Sequence, residues 1–335
     1  ATDTSDSKAP ASDISLPKLD TSNFDRLPAA LHEDPLLAAQ LVSQGFFTSS
    51  DGSYAYSHDS SVCPAYYLCD EKIPYVVNMD RGGVVRRSDG SHAACIADGV
   101  GGDGYFSAFV AHMICEFILH VLSKKTMEFT GNEEWNSEVA HKLFWGCTCN
   151  VCERSLPEVR GASTALFVEC VPIGQKDGKN SYRLQGGALG DGAIIHINVE
   201  NNTITQLNTI RKSHKNSSGG CISSEGEIIG FQNSMAFSTE ASEDDYIILV
   251  TDGFLDNVRA GTALEVMQLV AFHPFFDQPF EQLVAYDRFW EEDKGNPRFP
   301  SIDHINKFIL DNHGEGLFTA EKPTAAQITK RLANY

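Results

Sequence analysis

The sequence is poor in positive charge. It contains 26 lysines and arginines against 45 aspartates and glutamates, which gives a formal net charge of −19 over 335 residues. Nucleic acids and anionic membrane surfaces both attract basic proteins, so neither is an expected partner. No apolar run approaches the roughly 18 residues of a membrane-spanning helix. The acidic start, which opens on Ala1, shows neither a signal peptide nor an Arg-rich transit segment.

The sequence also lacks the cysteine pattern of a disulfide framework. Its nine cysteines are an odd number, and Cys95, Cys115 and Cys170 fall in apolar runs. This is typical of reduced core thiols, so we expect an intracellular, cytoplasmic protein. Cys149 and Cys152 have the spacing of two zinc ligands, but no second pair with matching spacing is present. On a helix, these two cysteines would instead share one buried face.

The rest of the composition is that of a globular protein. Hydrophobic residues make up 42% of the chain, and a chain of this length can form one large domain or two small ones. Residues 1–27 are rich in Ser, Asp, Thr, Ala and Pro, and they predict a tail that is disordered or loosely docked. Residues 28–335 predict a single domain.

Apolar spacing predicts the secondary structure. Spacings of three and four predict helices over residues 36–47, 103–125, 133–156, 261–273, 280–292, 302–311 and 324–332. Short apolar runs predict strands over 65–68, 75–77, 93–97 and 246–250, and consecutive strands over 161–207. Residues 81–90 are polar with three glycines and predict a hairpin connection. Strands in hairpin-like succession pair antiparallel, so we predict an α+β sandwich.

Three Asp-Gly pairs stand where strand-like runs end. Asp98 and Gly99 follow the run 93–97, Asp252 and Gly253 follow the run 246–250, and Asp191 lies inside a hairpin pattern. A carboxylate at a strand end offers hard anionic oxygen, and a neighbouring glycine lets a backbone carbonyl approach the same cation. Each pair alone is also a common turn dipeptide.

Four motifs occur in a specific order. They are Ala-Asp-Gly-Val-Gly-Gly at 97–102, Gly-Ala-Ser-Thr-Ala at 161–165, Ala-Leu-Gly-Asp at 188–191 and Leu-Val-Thr-Asp-Gly-Phe-Leu-Asp-Asn at 249–257. In this order and spacing they resemble the protein phosphatase 2C family of metal-dependent Ser/Thr phosphatases, in its subgroup with Asp-Gly-Val-Gly-Gly. The resemblance implies two packed, mainly antiparallel β-sheets flanked by antiparallel helix pairs. It also implies a mobile flap within residues 208–225, for which the alternative is an ordinary surface loop.

The resemblance implies a metal site and names its residues. Two Mg²⁺ or Mn²⁺ ions would turn a bridging water into hydroxide and neutralise the phosphate. By resemblance, Asp98 is the bridging ligand, Gly99 contributes its carbonyl, and Asp252 binds the first metal; Asp98 and Asp252 are the catalytic candidates. Asp191 lies where some members hold a third, weaker ion, although a hairpin turn would also explain it. We expect Asp98 and Asp252 to converge in space.

The sequence departs from the family pattern in three places. Val100 stands where many members have a histidine that protonates the leaving alcohol, so water or His92 would serve instead. The family's acidic pair is missing before the run 65–68; the substitutes are Asp59, Asp70, Glu71, Asp80 and Asp89. No counterpart of the family's last metal-binding aspartate follows residues 323–335. Either this chain is shorter than the natural one or the site lacks a ligand.

The expected function follows from the resemblance. We expect a monomeric, metal-dependent hydrolase that removes phosphate from phosphoserine and phosphothreonine in phosphoprotein substrates. The alternative is a weak or inactive relative that uses the fold to bind a phosphoprotein. Retention of Asp98, Gly99 and Asp252 favours the enzyme.

Overall fold

The computed structural model describes residues 24–25, 44–49, 51–59, 67–68, 71–72, 79–101, 106–124, 126–127, 133–155, 160–212, 217–256, 263–278, 307 and 322–335. The predicted strand over 75–77 and the predicted helices over 280–292 and 302–311 lie outside the described residues, apart from Lys307. Most of the predicted tail, 1–27, also lies outside them.

The described residues form strands and helices over most of their length. The strands are β1 (Phe24–Asp25), β2 (Gln44–Thr48), β3 (Ala55–Asp59), β4 (Tyr67–Leu68), β5 (Glu71–Lys72), β6 (Arg81–Arg86), β7 (His92–Ala97), β8 (Ala162–Ser163), β9 (Ala165–Lys176), β10 (Lys179–Leu189), β11 (Ala193–Asn198), β12 (Thr203–Gln206), β13 (Cys221–Ser223), β14 (Ile228–Ile229), β15 (Met235–Ser242) and β16 (Tyr246–Val250). The α-helices are α1 (Ser107–Lys124), α2 (Glu133–Arg154), α3 (Asp252–Leu255), α4 (Ala263–Phe272) and α5 (Ala325–Asn334).

Two antiparallel sheets form the centre of the fold. The larger has the strand order β1-β6-β7-β9-β10-β15, and the smaller has the order β12-β11-β16. An apolar layer between them contains Leu166 and Val168 of β9 and Ile194 of β11, with Ile247 and Leu249 of β16 packed against it. The smaller sheets are β14-β13-β8, β2-β3 and β4-β5.

Helices cover the outer faces of both central sheets. Alternate residues of β7 and β9, such as Cys95 and Phe167, pack against apolar residues of α1 and α2. On the other side, Ile195 and Ile248 pack against residues of α4 and α5. The strand period of two therefore supplies one apolar face to each layer. This arrangement confirms the predicted α+β sandwich of antiparallel sheets with helices outside.

Two local predictions were wrong. Residues 81–86, predicted as a hairpin connection, are strand β6, because they pair with the whole of β7 and Val84 and Val85 are buried there. Residues 44–48, placed in a helix over 36–47, are strand β2 paired with β3. In both cases the adjacent strand of a hairpin satisfies the backbone, and this pairing overrides the local pattern.

The helix α1 is more apolar than the sequence analysis indicated. Over its 18 residues it reaches a mean hydropathy of 1.3, which meets the length and composition of a membrane-spanning helix. In the fold, 78% of it is buried, and it packs between β6, β7 and α2. Buried polar side chains, among them His112 and Glu116, interrupt its apolar surface. We interpret α1 as the central helix of the core.

The described cysteines are reduced. Cys95, Cys115 and Cys147 are buried between the larger sheet, α1 and α2, as expected for core thiols. Burial raises the pKa of the Cys170 thiol to about 12, which keeps it protonated. Cys149 and Cys152 both lie on α2, and no further Cys or His among the described residues joins them in a metal-binding cluster.

Candidate metal centre

Three aspartates converge at one end of the sandwich. Asp98 directly follows β7, Asp252 follows β16 after one residue, and Asp191 lies in the connection between β10 and β11. One carboxylate oxygen from each lies within 4.8 Å of the others. The predicted convergence of Asp98 and Asp252 is therefore found, and Asp191 joins them. Among the described residues, this is the one cluster of three or more Cys, His, Asp or Glu side chains close enough to share a cation.

Residues 162–164 hold the backbone at Asp98. The Thr164 N–H donates to the Asp98 carbonyl over 2.9 Å, and the Asp98 N–H donates to Thr164 Oγ1 over 3.0 Å. The Ser163 hydroxyl donates to the same Asp98 carbonyl over 2.8 Å. These bonds involve the backbone of Asp98 and leave its carboxylate for other partners. They give the Gly-Ala-Ser-Thr-Ala motif a structural role in positioning the centre.

Gly99 stands where a side chain does not fit. A Cβ at this position would lie 2.8 Å from Met79 Cβ and 3.0 Å from the Ser107 backbone. Gly99 also faces Ser163 in an antiparallel bridge, whose hydrogen bonds are made by Asp98 and Val100. In such a pair, the N–H and carbonyl of Gly99 point away from β8. Its carbonyl therefore points away from β8 and is not used in pairing with Ser163.

Asp80 is a fourth carboxylate of the centre. It directly precedes β6, and the register pairs Arg81 with Ala97, so Asp80 lies opposite Asp98. The Thr251 hydroxyl donates to Asp80 Oδ2 over 2.9 Å, and the carboxyls of Asp80 and Asp98 are hydrogen-bonded. The sequence analysis left five acidic substitutes unranked; the structure brings Asp80 to the site. A signal was present, because Asp80 precedes the first strand of the hairpin that ends at Asp98.

The other substitutes are not shown at the centre. Asp89 lies in the turn between β6 and β7, at the opposite end of that hairpin, and accepts a hydrogen bond from the Ser91 N–H. Asp70 lies outside the described residues. His92, a candidate proton donor, begins β7, whereas Asp98 follows its end. At the rise of a strand, six positions span about 20 Å, so His92 cannot protonate a group bound at Asp98.

Lys212 is a further charged residue at the centre that the sequence analysis missed. Its ammonium nitrogen lies 2.8 Å from Asp191 Oδ2. Asp191 is 4% exposed, and the Lys212 side chain is one quarter exposed. The electrostatic attraction of Asp191, Asp252 and Asp256 raises the pKa of Lys212 against the opposing effect of burial. Asp191 is therefore more than a turn residue, since it forms an ion pair within the carboxylate cluster.

Three carboxylates of the centre, those of Asp80, Asp98 and Asp191, hold protons more tightly than isolated aspartates. Burial and the nearby carboxylates of Asp80 and Asp252 raise the pKa of Asp98 well above its ordinary value. Burial also raises the pKa of Asp80, and it raises the pKa of Asp191 to about 6 despite the Lys212 ammonium. Without a cation, these groups repel one another in surroundings of low polarity. A divalent cation would remove that repulsion and displace the protons.

We expect cation binding to tighten as pH rises. A metal-binding carboxylate must lose its proton, and the pKa of Asp98 is raised. Asp191, with a pKa of about 6, ionises between roughly pH 5 and 7 and adds negative charge beside the cations. Calorimetric titration with Mn²⁺ should give a higher affinity at pH 7.5 than at pH 5.5, with net proton release to the buffer. The metal-free fold should lose stability over the same interval, because its raised pKa values mean that it binds more protons than the unfolded chain. An affinity that is constant over this range would contradict the assignment.

Both ends of the predicted flap make ordered contacts. At its first residue, the Asn208 side chain accepts from the Ile194 N–H and donates to the Gly192 carbonyl. Near its last residue, β13 pairs with both β8 and β14, and the Ser224 hydroxyl accepts from the Gly161 N–H. Residues 213–216, in the middle of the predicted flap, lie outside the described residues. Mobility within 208–225 stays a prediction.

Comparison with known proteins identifies the family. The family model described as "Protein phosphatase 2C" matches residues 76–290, more than half of the chain. This span includes Asp80, Asp98, Asp191 and Asp252. Comparison with curated protein sequences gives no significant match.

Solved structures of low sequence identity resemble the chain. The serine/threonine phosphatase Stp1 from Staphylococcus aureus is 12% identical, with 82% of this chain and 91% of that chain covered and a TM-score of 0.39. The serine/threonine phosphatase PstP/Ppp from Mycobacterium tuberculosis is 17% identical, with 61% and 82% covered and a TM-score of 0.38. At these TM-scores the structural likenesses carry no argument of their own. The family match, over a fold that brings the four motifs to one site, shows that this chain belongs to the protein phosphatase 2C family and is a phosphoprotein phosphatase, a hydrolase.

Proposed function

We propose that this chain hydrolyses phosphoserine and phosphothreonine in proteins with the help of two divalent cations, Mg²⁺ or Mn²⁺. The observation that carries the proposal is the convergence of Asp98, Asp191 and Asp252 from three separate strand ends. Asp80 adds a fourth carboxylate beside Asp98. Like charges this close repel one another in the metal-free protein. A bound cation would relieve that repulsion.

The donor set fits a hard divalent cation. The described ligand candidates are carboxylate oxygens, together with the carbonyl of Gly99, and neither a thiolate nor an imidazole joins them among the described residues. Oxygen donors of this kind suit Mg²⁺ and Mn²⁺ and disfavour zinc or copper. Asp98 and Asp252 would hold the cations, with Asp80 as a further candidate in place of the family's acidic pair. Asp191 would be free to bind a cation only after it separates from Lys212.

The protein's own residues position the carboxylates that would hold the cations. When bound, the cations supply a nucleophilic water at neutral pH and offset the charge of the phosphate. The hydrogen bonds that join the Asp98 backbone to Ser163 and Thr164 hold the backbone from which the Asp98 carboxylate extends. The Thr251 hydroxyl orients Asp80 by donating a hydrogen bond directly to its carboxylate. Val100 cannot transfer a proton and His92 is remote, so we propose that solvent protonates the leaving alkoxide.

We expect phosphate release only when a divalent cation is present. The test measures hydrolysis of p-nitrophenyl phosphate and of a phosphothreonine peptide with Mn²⁺, with Mg²⁺ and with EDTA. Activity should appear with either cation and fall to background with the chelator, since the unassisted carboxylates repel a phosphate dianion. Thiol alkylation should leave activity intact, because burial keeps the Cys95, Cys147 and Cys170 thiols protonated.

Two outcomes would overturn this proposal. Hydrolysis that survives EDTA but is lost on alkylation would indicate cysteine chemistry. No hydrolysis under any condition, together with binding of the phosphothreonine peptide, would favour the alternative of an inactive phosphoprotein-binding relative. A fluorescence anisotropy titration of the labelled peptide separates these cases, because it detects binding without turnover.

A further inference from the structure

We propose that Lys212 is a resident cation that occupies Asp191 in place of a third metal ion. This inference rests on the proposed two-cation function and concerns the residue that limits the centre to two ions. The Lys212 ammonium lies 2.8 Å from Asp191 Oδ2, and Asp191 shares the carboxylate cluster with Asp98 and Asp252. The ammonium therefore stands on the side of the cluster where Asp191 would otherwise contribute a ligand atom.

The segment that carries Lys212 is fixed by several contacts. Four residues before it, the buried Asn208 side chain bridges the Ile194 N–H and the Gly192 carbonyl, at 2.8 and 2.9 Å. These two residues flank the start of β11, directly after Asp191. One residue before Lys212, the Arg211 carbonyl accepts from Asn233 Nδ2, which also donates to the Gly219 carbonyl. Lys212 thus extends from a backbone that is tied to the same connection as Asp191.

The surrounding charges favour an ammonium at this place. Asp252 and Asp256 attract Lys212 in addition to Asp191. When Asp80, Asp98, Asp191, Asp252 and Asp256 are all ionised, two divalent cations and the Lys212 ammonium together balance their charge. A filled site without an excess of negative charge no longer repels a phosphate dianion. The ammonium also neutralises Asp191 without a free cation, so the site reaches this state at lower metal concentration.

Removal of the ammonium should allow a third ion to bind. Lys212→Gln deletes the positive charge but keeps an amide that can donate to Asp191, so the carboxylate retains a hydrogen bond. Lys212→Arg keeps the charge. Lys179→Gln is the matched control, because Lys179 forms a similar pair, 3.1 Å from Asp244, on an exposed part of the molecule. Each protein is titrated with Mn²⁺ at pH 7.5 by calorimetry, and bound Mn²⁺ is counted by electron paramagnetic resonance.

We expect wild type, Lys212→Arg and Lys179→Gln to bind equal numbers of Mn²⁺. Lys212→Gln should bind one more ion, or bind its weakest ion on the order of tenfold more tightly, because the negative charge of Asp191 then lacks its ammonium counter-charge. The double variant Lys212→Gln/Asp191→Asn should lose that gain. Thermal unfolding without metal verifies that each variant is folded, and Mn²⁺ should raise the melting temperature of Lys212→Gln more than that of Lys212→Arg.

The inference and the proposed function fail in different ways. Equal Mn²⁺ counts and affinities in wild type and Lys212→Gln would overturn the role of Lys212, whatever the activity. An extra ion that persists in the double variant would overturn it as well, since Asp191 would not be its ligand. Fewer than two ions in wild type would instead contradict the two-cation function. The difference between Lys212→Gln and wild type decides the inference independently of that number.

Discussion

Replacement of Asp98 by Asn should lower metal-dependent phosphate release on the order of 100-fold or more. Asp98 shares the centre with Asp80 and Asp252, whose carboxylates raise its pKa, and with Asp191. An amide is nearly the same size but carries no negative charge, so the cations lose their central ligand. Steady-state hydrolysis of p-nitrophenyl phosphate with Mn²⁺, over a range of Mn²⁺ concentrations, measures the loss.

The fold should survive this substitution. The described hydrogen bonds that hold residue 98 to Ser163 and Thr164 use its backbone, which Asn also supplies. Because burial and neighbouring carboxylates raise the pKa of Asp98, its negative charge is unfavourable in the metal-free protein. The metal-free melting temperature of Asp98→Asn should therefore equal or exceed that of wild type near neutral pH.

Asp177→Asn is the matched control for Asp98→Asn. Asp177 lies in the exposed turn between β9 and β10, with φ of 53°, a conformation that Asn also tolerates. Its substitution should leave both activity and Mn²⁺ binding unchanged. If Asp98→Asn hydrolyses phosphate and binds Mn²⁺ as wild type does, Asp98 is not a ligand and the metal-dependent mechanism is wrong for this chain.

The sequence predicted the parts of the site that depend on local pattern. Asp98, Asp191 and Asp252 each stand beside a glycine, and the resemblance carried by the four ordered motifs placed Asp98 and Asp252 together. The layered fold was also predictable, because the strand period of two and the helical spacing of α1 are strong signals. Each of these patterns is visible in short segments of the chain.

The residues that were missed depend on partners far away in the chain. Asp80 precedes a segment with two arginines and two glycines, and it contacts Thr251, which lies 171 positions further along the chain. Lys212 lies in a polar stretch without periodicity, and its position depends on the contacts of Asn208 and Asn233. Contacts between residues distant in sequence leave no local pattern, so reasoning from short segments cannot rank such residues.

A second group of buried charges lies inside the larger sheet, away from the proposed metal centre. Glu169, in the middle of β9, is fully buried. Its carboxylate accepts hydrogen bonds from Arg87 Nη1 at 2.6 Å, from Gln185 Nε2 at 2.8 Å and from the Met127 N–H at 3.0 Å. Arg87 also donates to the Leu122 carbonyl near the end of α1. Glu169 therefore connects α1 and the segment after it to the sheet.

Glu169→Ala should destabilise the protein by about 3–5 kcal/mol. The substitution leaves the Arg87 guanidinium without its buried counter-charge, and it removes the acceptor of two further donors, Gln185 and Met127. Since domains are typically stable by about 5–15 kcal/mol, this loss is a large fraction of the total. Urea unfolding followed by circular dichroism, with Mn²⁺ absent from all samples, measures the free energy of unfolding.

The destabilisation caused by Glu169→Ala should depend on the charge of Arg87, which loses its buried counter-charge. Glu240→Ala, on the exposed face of β15, is the matched control and should change stability by less than about 0.5 kcal/mol. Adding Arg87→Met to a Glu169→Leu variant removes both charges and should recover part of the loss, because two buried apolar side chains carry no desolvation penalty. If Glu169→Ala were as mild as Glu240→Ala, the network would not hold α1 to the sheet. If the double variant lost more free energy of unfolding than its two single variants lose in sum, hydrogen bonding to Leu122 would outweigh the cost of the unpaired charge.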